Sequence, residues 1–152
     1  MKIRPLLDRL DSAASWLQSP LLLVIRAYWG FSFAQDGWGK LHNLDRVTEY
    51  FASIGIPFPH ANVILASLTQ LVCGSLLLLG LFSRVAAIPL IGTMLVAYAT
   101  AEKDALHAIF SDPDKFTGAT PFLFLFASVI VLAFGPGKIS LDALFFRRQS
   151  GV

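Results

Sequence analysis

Cysteine occurs once in these 152 residues, at Cys73, so the chain alone can build no disulfide, no CxxC redox pair and no cysteine zinc site. Charge is scarce too. Asp, Glu, Lys and Arg make up 14% of the sequence against 55% hydrophobic residues, and the mean hydropathy is +0.65, which is too apolar for a soluble domain of this size. A net charge of +2, scattered along the chain, gives no footprint for nucleic acid as a partner. The histidines are His42, His60 and His107. None lies inside a long apolar stretch, which leaves haem without an axial ligand at depth. HxxH, HxxxH and HExxH spacings are absent, so the metal reading has no motif behind it. No GxGxxG, Walker, GxSxG or triad pattern occurs, and nucleotide hydrolysis and acyl chemistry therefore lack support.

What the chain does have is apolar length. Pro20–Trp38, Asn62–Phe82, Val85–Ala101 and Gly118–Phe134 are each bounded by charge, proline or glycine, and about 20 mostly apolar residues cross a hydrocarbon core about 30 Å thick. The third and fourth are short, and depend on packing or local thinning of the bilayer. The expected fold is all-α, a four-transmembrane-helix bundle forming one domain over residues 1–152. The first stretch follows a charged start, as a secretory signal does. Arg26 interrupts it and no small-residue cleavage pattern follows, so it reads as an uncleaved anchor. Loop charge gives the orientation. Lys2, Arg4, Arg9, Arg84, Lys138, Arg147 and Arg148 fall on one side, and Lys40, Arg46, Lys103 and Lys115 on the other among seven carboxylates. The positive-inside rule then places both termini in the cytoplasm of a bacterial-type inner membrane.

Between the spans, local signals set the connections. Leu6, Leu10, Ala13 and Leu17 recur at helical spacing, predicting a helix on the cytoplasmic surface; Ser19 and Pro20 form a cap and first-turn pair that starts the first span. Asn43 is placed to cap an outer amphipathic helix in which Leu44, Val47, Phe51 and Ile54 share a face, ended by Gly55 and followed by the extended IPFPH segment. This segment is large enough to act as a lid. Ser83 and Arg84 leave little room between spans two and three, which are therefore antiparallel neighbours. SDPDKFTG is expected as an outer loop, with Thr117 or Thr120 as the cap of span four. Ser140 caps a short final helix with Asp142 at its positive end.

Candidate chemistry starts at Arg26. It lies about 9 Å into the first span, where a charge costs at least about 2.5–3.5 kcal/mol unless paired or hydrated. It either snorkels to the headgroups, bonds carbonyls, or lines a pocket. Gly30, Phe33, Gly37 and Lys40 follow on the same stripe, joining it to a second cation at the outer mouth. Gln70 is the other polar residue at depth, placed to join Arg26 in a polar pocket or to bond a neighbouring helix. Asp36, Trp38, Lys40, Glu102 and His107 gather at the outer level, as a site or as a solvated interface. Tyr28, Trp29, Trp38 and Tyr98 suit a quinone ring or an interfacial belt.

GWGKLHNL in the first outer segment, TQLVCGSLLLLGLFSR across the second span and GPGKISLDAL near the end resemble, in that order, the DoxX family of four-span membrane proteins. The resemblance covers roughly residues 20–145, at Arg26, Gly37, Trp38, Lys40, Gly74, Arg84, Gly135, Gly137, Ser140 and Asp142. It implies a bundle linked to quinol oxidases and thiosulfate:quinone oxidoreductases. One position departs: the family commonly carries glutamate where this chain has Gln70.

The leading expectation is an accessory membrane subunit or partner of a quinone-linked oxidoreductase, respiratory or sulfur-related. It would bind no covalent cofactor and hold quinone at Arg26, Gln70, Trp29 and Lys40. Lipid and a soluble or membrane oxidoreductase are the expected partners, with a homo-oligomer open. The alternatives are a carrier or export factor for a small solute, anion or metal ion along the Arg26–Lys40 stripe, or a non-catalytic assembly factor docking through the outer helix.

Overall fold

The computed structural model describes residues 4–146, and every regular element among them is helical: α1 (Arg4–His42), α2 (Leu44–Ser53), α3 (Pro59–Leu79), α4 (Ser83–Thr100), α5 (Lys103–His107), α6 (Pro113–Gly118), α7 (Thr120–Phe134) and α8 (Leu141–Phe146). Lys2, Arg147 and Arg148 lie outside the described residues, as do the side chains of Leu6, Leu10 and Ala13. The long helices pack in the order α1, α3, α4, α7, with α7 returning to touch α1 only lightly. Among the described residues, α3 and α4 are long and apolar enough to cross a membrane, and α7 is a shorter apolar helix.

Glycine sets how closely α1 and α3 approach. A Cβ on Gly30 would lie 2.6 Å from the backbone nitrogen of Leu78, one on Gly37 2.5 Å from the Ser67 carbonyl oxygen, and one on Gly74 2.7 Å from the Ala34 nitrogen. Small residues bring helix backbones together where water gives no driving force. Phe33, Leu77, Leu90, Met94 and Val131 fill the interior, with Ser67 and Ser128 turned back onto the carbonyls of Val63 and Phe124. The outward faces are apolar as well. Val24, Leu65, Val72, Val85, Ile88, Leu123 and Phe126 are all exposed, and exposed apolar surface on every long helix suits lipid rather than water.

Several local expectations change. No break occurs at Ser19–Pro20, because α1 runs through Pro20 as one helix of 39 residues. An interior proline costs a helix about 3 kcal/mol, but here tertiary contact holds the turn: Ser19 is buried and its Oγ accepts from the Lys138 N–H at 3.3 Å. Asn43 occupies the start of α2 without capping it, since its Nδ2 donates to the Gly39 carbonyl at 2.8 Å. Leu44, Val47, Phe51 and Ile54 do share the half-buried face. Ala119, not Thr117 or Thr120, precedes α7, and part of the predicted loop is α6, capped by Asp112 through the Lys115 N–H. Ser140 caps α8 as expected, accepting from the Ala143 N–H at 3.1 Å.

Candidate functional site

The two cations of the α1 stripe belong to two separate polar systems. At the α8 end, Arg26 is 1% exposed. Its Nη2 donates to the carbonyl of Ile139, while Nε and Nη1 have no hydrogen-bond partner among the described residues. The guanidinium lies against Gly80, whose φ of +71° and missing Cβ leave room where a side chain would overlap Nη1. Asp142 acts on Arg26 electrostatically and also binds the α3–α4 turn. Its carboxylate accepts from the Phe82 N–H at 2.7 Å and the Ser83 N–H at 3.1 Å, and its own N–H donates to the Gly80 carbonyl at 2.9 Å. Phe82 carries φ +49°, a left-handed conformation that side chains adopt at a cost. The carboxylate thus holds a strained turn and satisfies first-turn N–H groups of α4. Arg84 reaches the last turn of α7, with Nη2 3.4 Å from the Ala133 carbonyl. Most of the matching residues near the two ends of the sequence therefore form a clasp that fastens α8 to the bundle.

Gln70 is not part of it. It sits ten residues before Gly80, about 15 Å along the helix axis, so the expected Arg26–Gln70 pocket does not form. Arg26 finds a carbonyl and Asp142, and Gln70 finds Lys40. Lys40 Nζ donates to Gln70 Oε1 at 2.7 Å and to Asp36 Oδ2 at 2.6 Å, and Gln70 is 2% exposed. The buried amide fixes the lysine across the α1–α3 seam. The Arg26–Lys40 stripe is itself that seam, closed at Gly30 and Gly37 by α3 backbone, and offers no path between the cations.

Beside Lys40 an open groove of about 690 Å³ runs between α1, α2 and α7, lined among others by Ser32, Gln35, Asp36, Lys40, Arg46 and Phe124. Phe124 forms its apolar wall and meets Trp29 edge-on at 4.8 Å and Phe33 at 4.7 Å between ring centroids. Trp29 therefore stands behind the wall. Trp38 packs on His42 at 4.3 Å. Glu102 and His107 belong to the α5 region, which packs on α4, away from Asp36 and Lys40. Among the described residues no three His, Cys, Asp or Glu side chains come together as a metal site.

Ser32, Gln35, Arg46 and Phe124 are site residues that the apolar periodicity hides. Ser32, Gln35, Asp36 and Gly39 recur at i, i+3, i+4 and i+7 of α1, a polar stripe legible once the helix is read for polar rather than apolar spacing.

The DoxX family model matches residues 21–103. "Uncharacterized membrane protein Rv3486" of Mycobacterium tuberculosis is 33% identical over 138 residues, covering 86% of this chain and 85% of that protein. "Inner membrane protein YphA" of Escherichia coli (strain K12) is 29% identical, covering 80% and 88%. "Putative oxidoreductase CatD" of Bacillus subtilis (strain 168) is 28% identical, covering 82% and 87%. No solved structure matches the chain. The match over more than half of its length, on a helical chain with apolar outer faces, makes this protein a member of the DoxX family of membrane proteins.

Proposed function

We propose that the protein crosses the inner membrane four times through α1, α3, α4 and α7, with both termini cytoplasmic, and serves as the membrane subunit of a quinone-linked oxidoreductase. The observation that carries the reading is the groove beside Lys40. It combines an aromatic wall, Phe124 backed by Trp29, with hydrogen-bond donors from Gln35 and Lys40 along one side of α1. An ammonium has three N–H donors, and Lys40 directs two to Asp36 and Gln70, leaving one for a ligand carbonyl. Gln35 lines the same space. These residues suit a quinone ring with its tail passing between α1 and α7, where the two helices touch only lightly. A bound quinone supplies two-electron redox chemistry; the chain orients the ring and keeps one face from water. A relative's name as an oxidoreductase supports the class, and another's as an inner membrane protein supports the location.

α1 is long enough for this role, since 39 residues extend about 58 Å. At 15 residues, α7 spans about 22 Å and requires local thinning. Electrons come from a protein partner, for which the exposed face of α2, with Asp45 and Glu49, is available.

The test is quenching of tryptophan fluorescence by a short-chain quinone, with and without co-purifying proteins. Wild type should bind. Lys40→Ala should bind about tenfold or more weakly, from loss of one charged hydrogen bond of about 1.5–3 kcal/mol. Absence of quinone binding in both preparations would remove the proposal.

A further inference from the structure

The groove has more positive charge than a neutral quinone head needs. Lys40 and Arg46 stand against the single carboxylate of Asp36 in its lining. The ion pair between Lys40 and Asp36 takes up that carboxylate, and Arg46, exposed on α2, has no hydrogen bond or ion pair among the described residues. A guanidinium fork matches phosphate oxygens in pairs, and Lys40, lining the same groove, keeps one N–H beyond its bonds to Asp36 and Gln70.

Depth identifies the source of the phosphate. Trp38 and Tyr50 flank this level and are 55% and 50% exposed, and aromatic residues with polar tips settle at the headgroup region. The cationic rim then lies at phosphate height, while Ser32 and Phe124 lie below it at acyl height. A soluble anion would use the rim alone, but an amphiphile uses both rim and wall. Net charge selects among amphiphiles: a zwitterionic lipid brings its own cation toward Arg46 and Lys40, and an acidic one does not.

We infer that the groove seats the phosphate of an acidic phospholipid, held by Arg46 and Lys40 with an acyl chain along Phe124. The occupied groove excludes quinone, so the acidic-lipid content of the surrounding leaflet regulates quinone access. Only this competition step rests on the proposed quinone reading; the lipid seat stands on the charges and the groove.

The full chain in phosphatidylcholine nanodiscs, titrated with phosphatidylglycerol and read by native mass spectrometry, tests the seat. Wild type should retain phosphatidylglycerol in preference to phosphatidylcholine. Arg46→Gln should weaken phosphatidylglycerol about fivefold, the equivalent of one cation near a lipid surface, without changing phosphatidylcholine. In the same discs, rising phosphatidylglycerol should raise the apparent Kd for a short-chain quinone, and Arg46→Gln should need about fivefold more of it for the same rise. Equal retention of the two lipids, or an unchanged phosphatidylglycerol affinity in Arg46→Gln, overturns the inference. Displacement of phosphatidylglycerol by inorganic phosphate at matched concentration also overturns it, in favour of a soluble anion. Failure of quinone to bind in phosphatidylcholine alone sinks the functional proposal but leaves the lipid preference to be judged on its own result.

Discussion

Gly37→Ala tests whether the approach of α1 and α3 organises the groove. An added Cβ would sit 2.5 Å from the Ser67 carbonyl oxygen and 2.6 Å from the Leu71 nitrogen. Both are backbone atoms inside a helix and cannot rotate aside. Ordinary contact begins at 3.4 Å, so the helices must part by roughly 0.9 Å, the difference between 3.4 and 2.5. Overpacking of this kind costs about 1–3 kcal/mol, offset by up to about 1 kcal/mol from the better helix propensity of alanine. The net loss against wild type should be about 0–2 kcal/mol, or a Tm lower by up to roughly 8 °C for a chain of this size. Gly92→Ala, inside α4, is the matched control, because nothing lies within 4 Å of its added Cβ and the propensity gain is unopposed. Parting the seam also stretches the bond from Lys40 to Gln70, now 2.7 Å, so quinone affinity should fall in Gly37→Ala and hold in Gly92→Ala, which lies on α4 outside the groove lining. Thermal unfolding in a single mild detergent reads the first effect and fluorescence quenching the second. A Gly37→Ala protein as stable as Gly92→Ala would refute the reasoning.

At the opposite end, Asp142→Ala removes two N–H acceptors and the carboxylate facing Arg26; each charged hydrogen bond is worth about 1.5–3 kcal/mol, and denaturation in mixed micelles should show a loss of that order. Arg26→Ala and Asp142→Ala combined should cost less than their sum, and additivity within about 0.5 kcal/mol would show the two to be independent. Tyr98→Phe deletes the hydroxyl that donates to the Phe116 carbonyl at 2.8 Å. It should lower stability by about 0.5–1.5 kcal/mol and quicken proteolysis near α6; unchanged cleavage there would count against the bond.

The sequence makes the helices legible where pattern and packing agree. The amphipathic face of α2, the close turn between α3 and α4 and the Ser140 cap all follow from spacing and turn residues, and the structure has them. The demand for a partner at Arg26 is also legible, because an arginine in an apolar run needs one whatever the fold. Its identity is not. Which residues of α3 lie opposite which of α1 depends on how the Gly30, Gly37 and Gly74 contacts interlock, and that register puts Gln70 beside Lys40. Pro20 illustrates the same limit. A break is the right local reading, but Ser19 meets Lys138 from the far end of the chain, a contact no local window contains. The groove stayed hidden because its polar stripe shares a helix with the more conspicuous arginine.

Separating the two cations gives them different work. Arg26 is enclosed by groups of its own chain, and a ligand arriving there would have to displace the Ile139 carbonyl and loosen Asp142 from the α3–α4 turn. Such a residue holds shape. Lys40 is half-buried and held from the side by Gln70, so it keeps its position whether or not a ligand is present and needs no rearrangement to donate outward. Rigid donors at the edge of an apolar wall are what preorganised binding requires. The glycine seam connects the two ends mechanically: it fixes the register that gives Lys40 its amide, and it delivers α3 to the turn that the clasp closes.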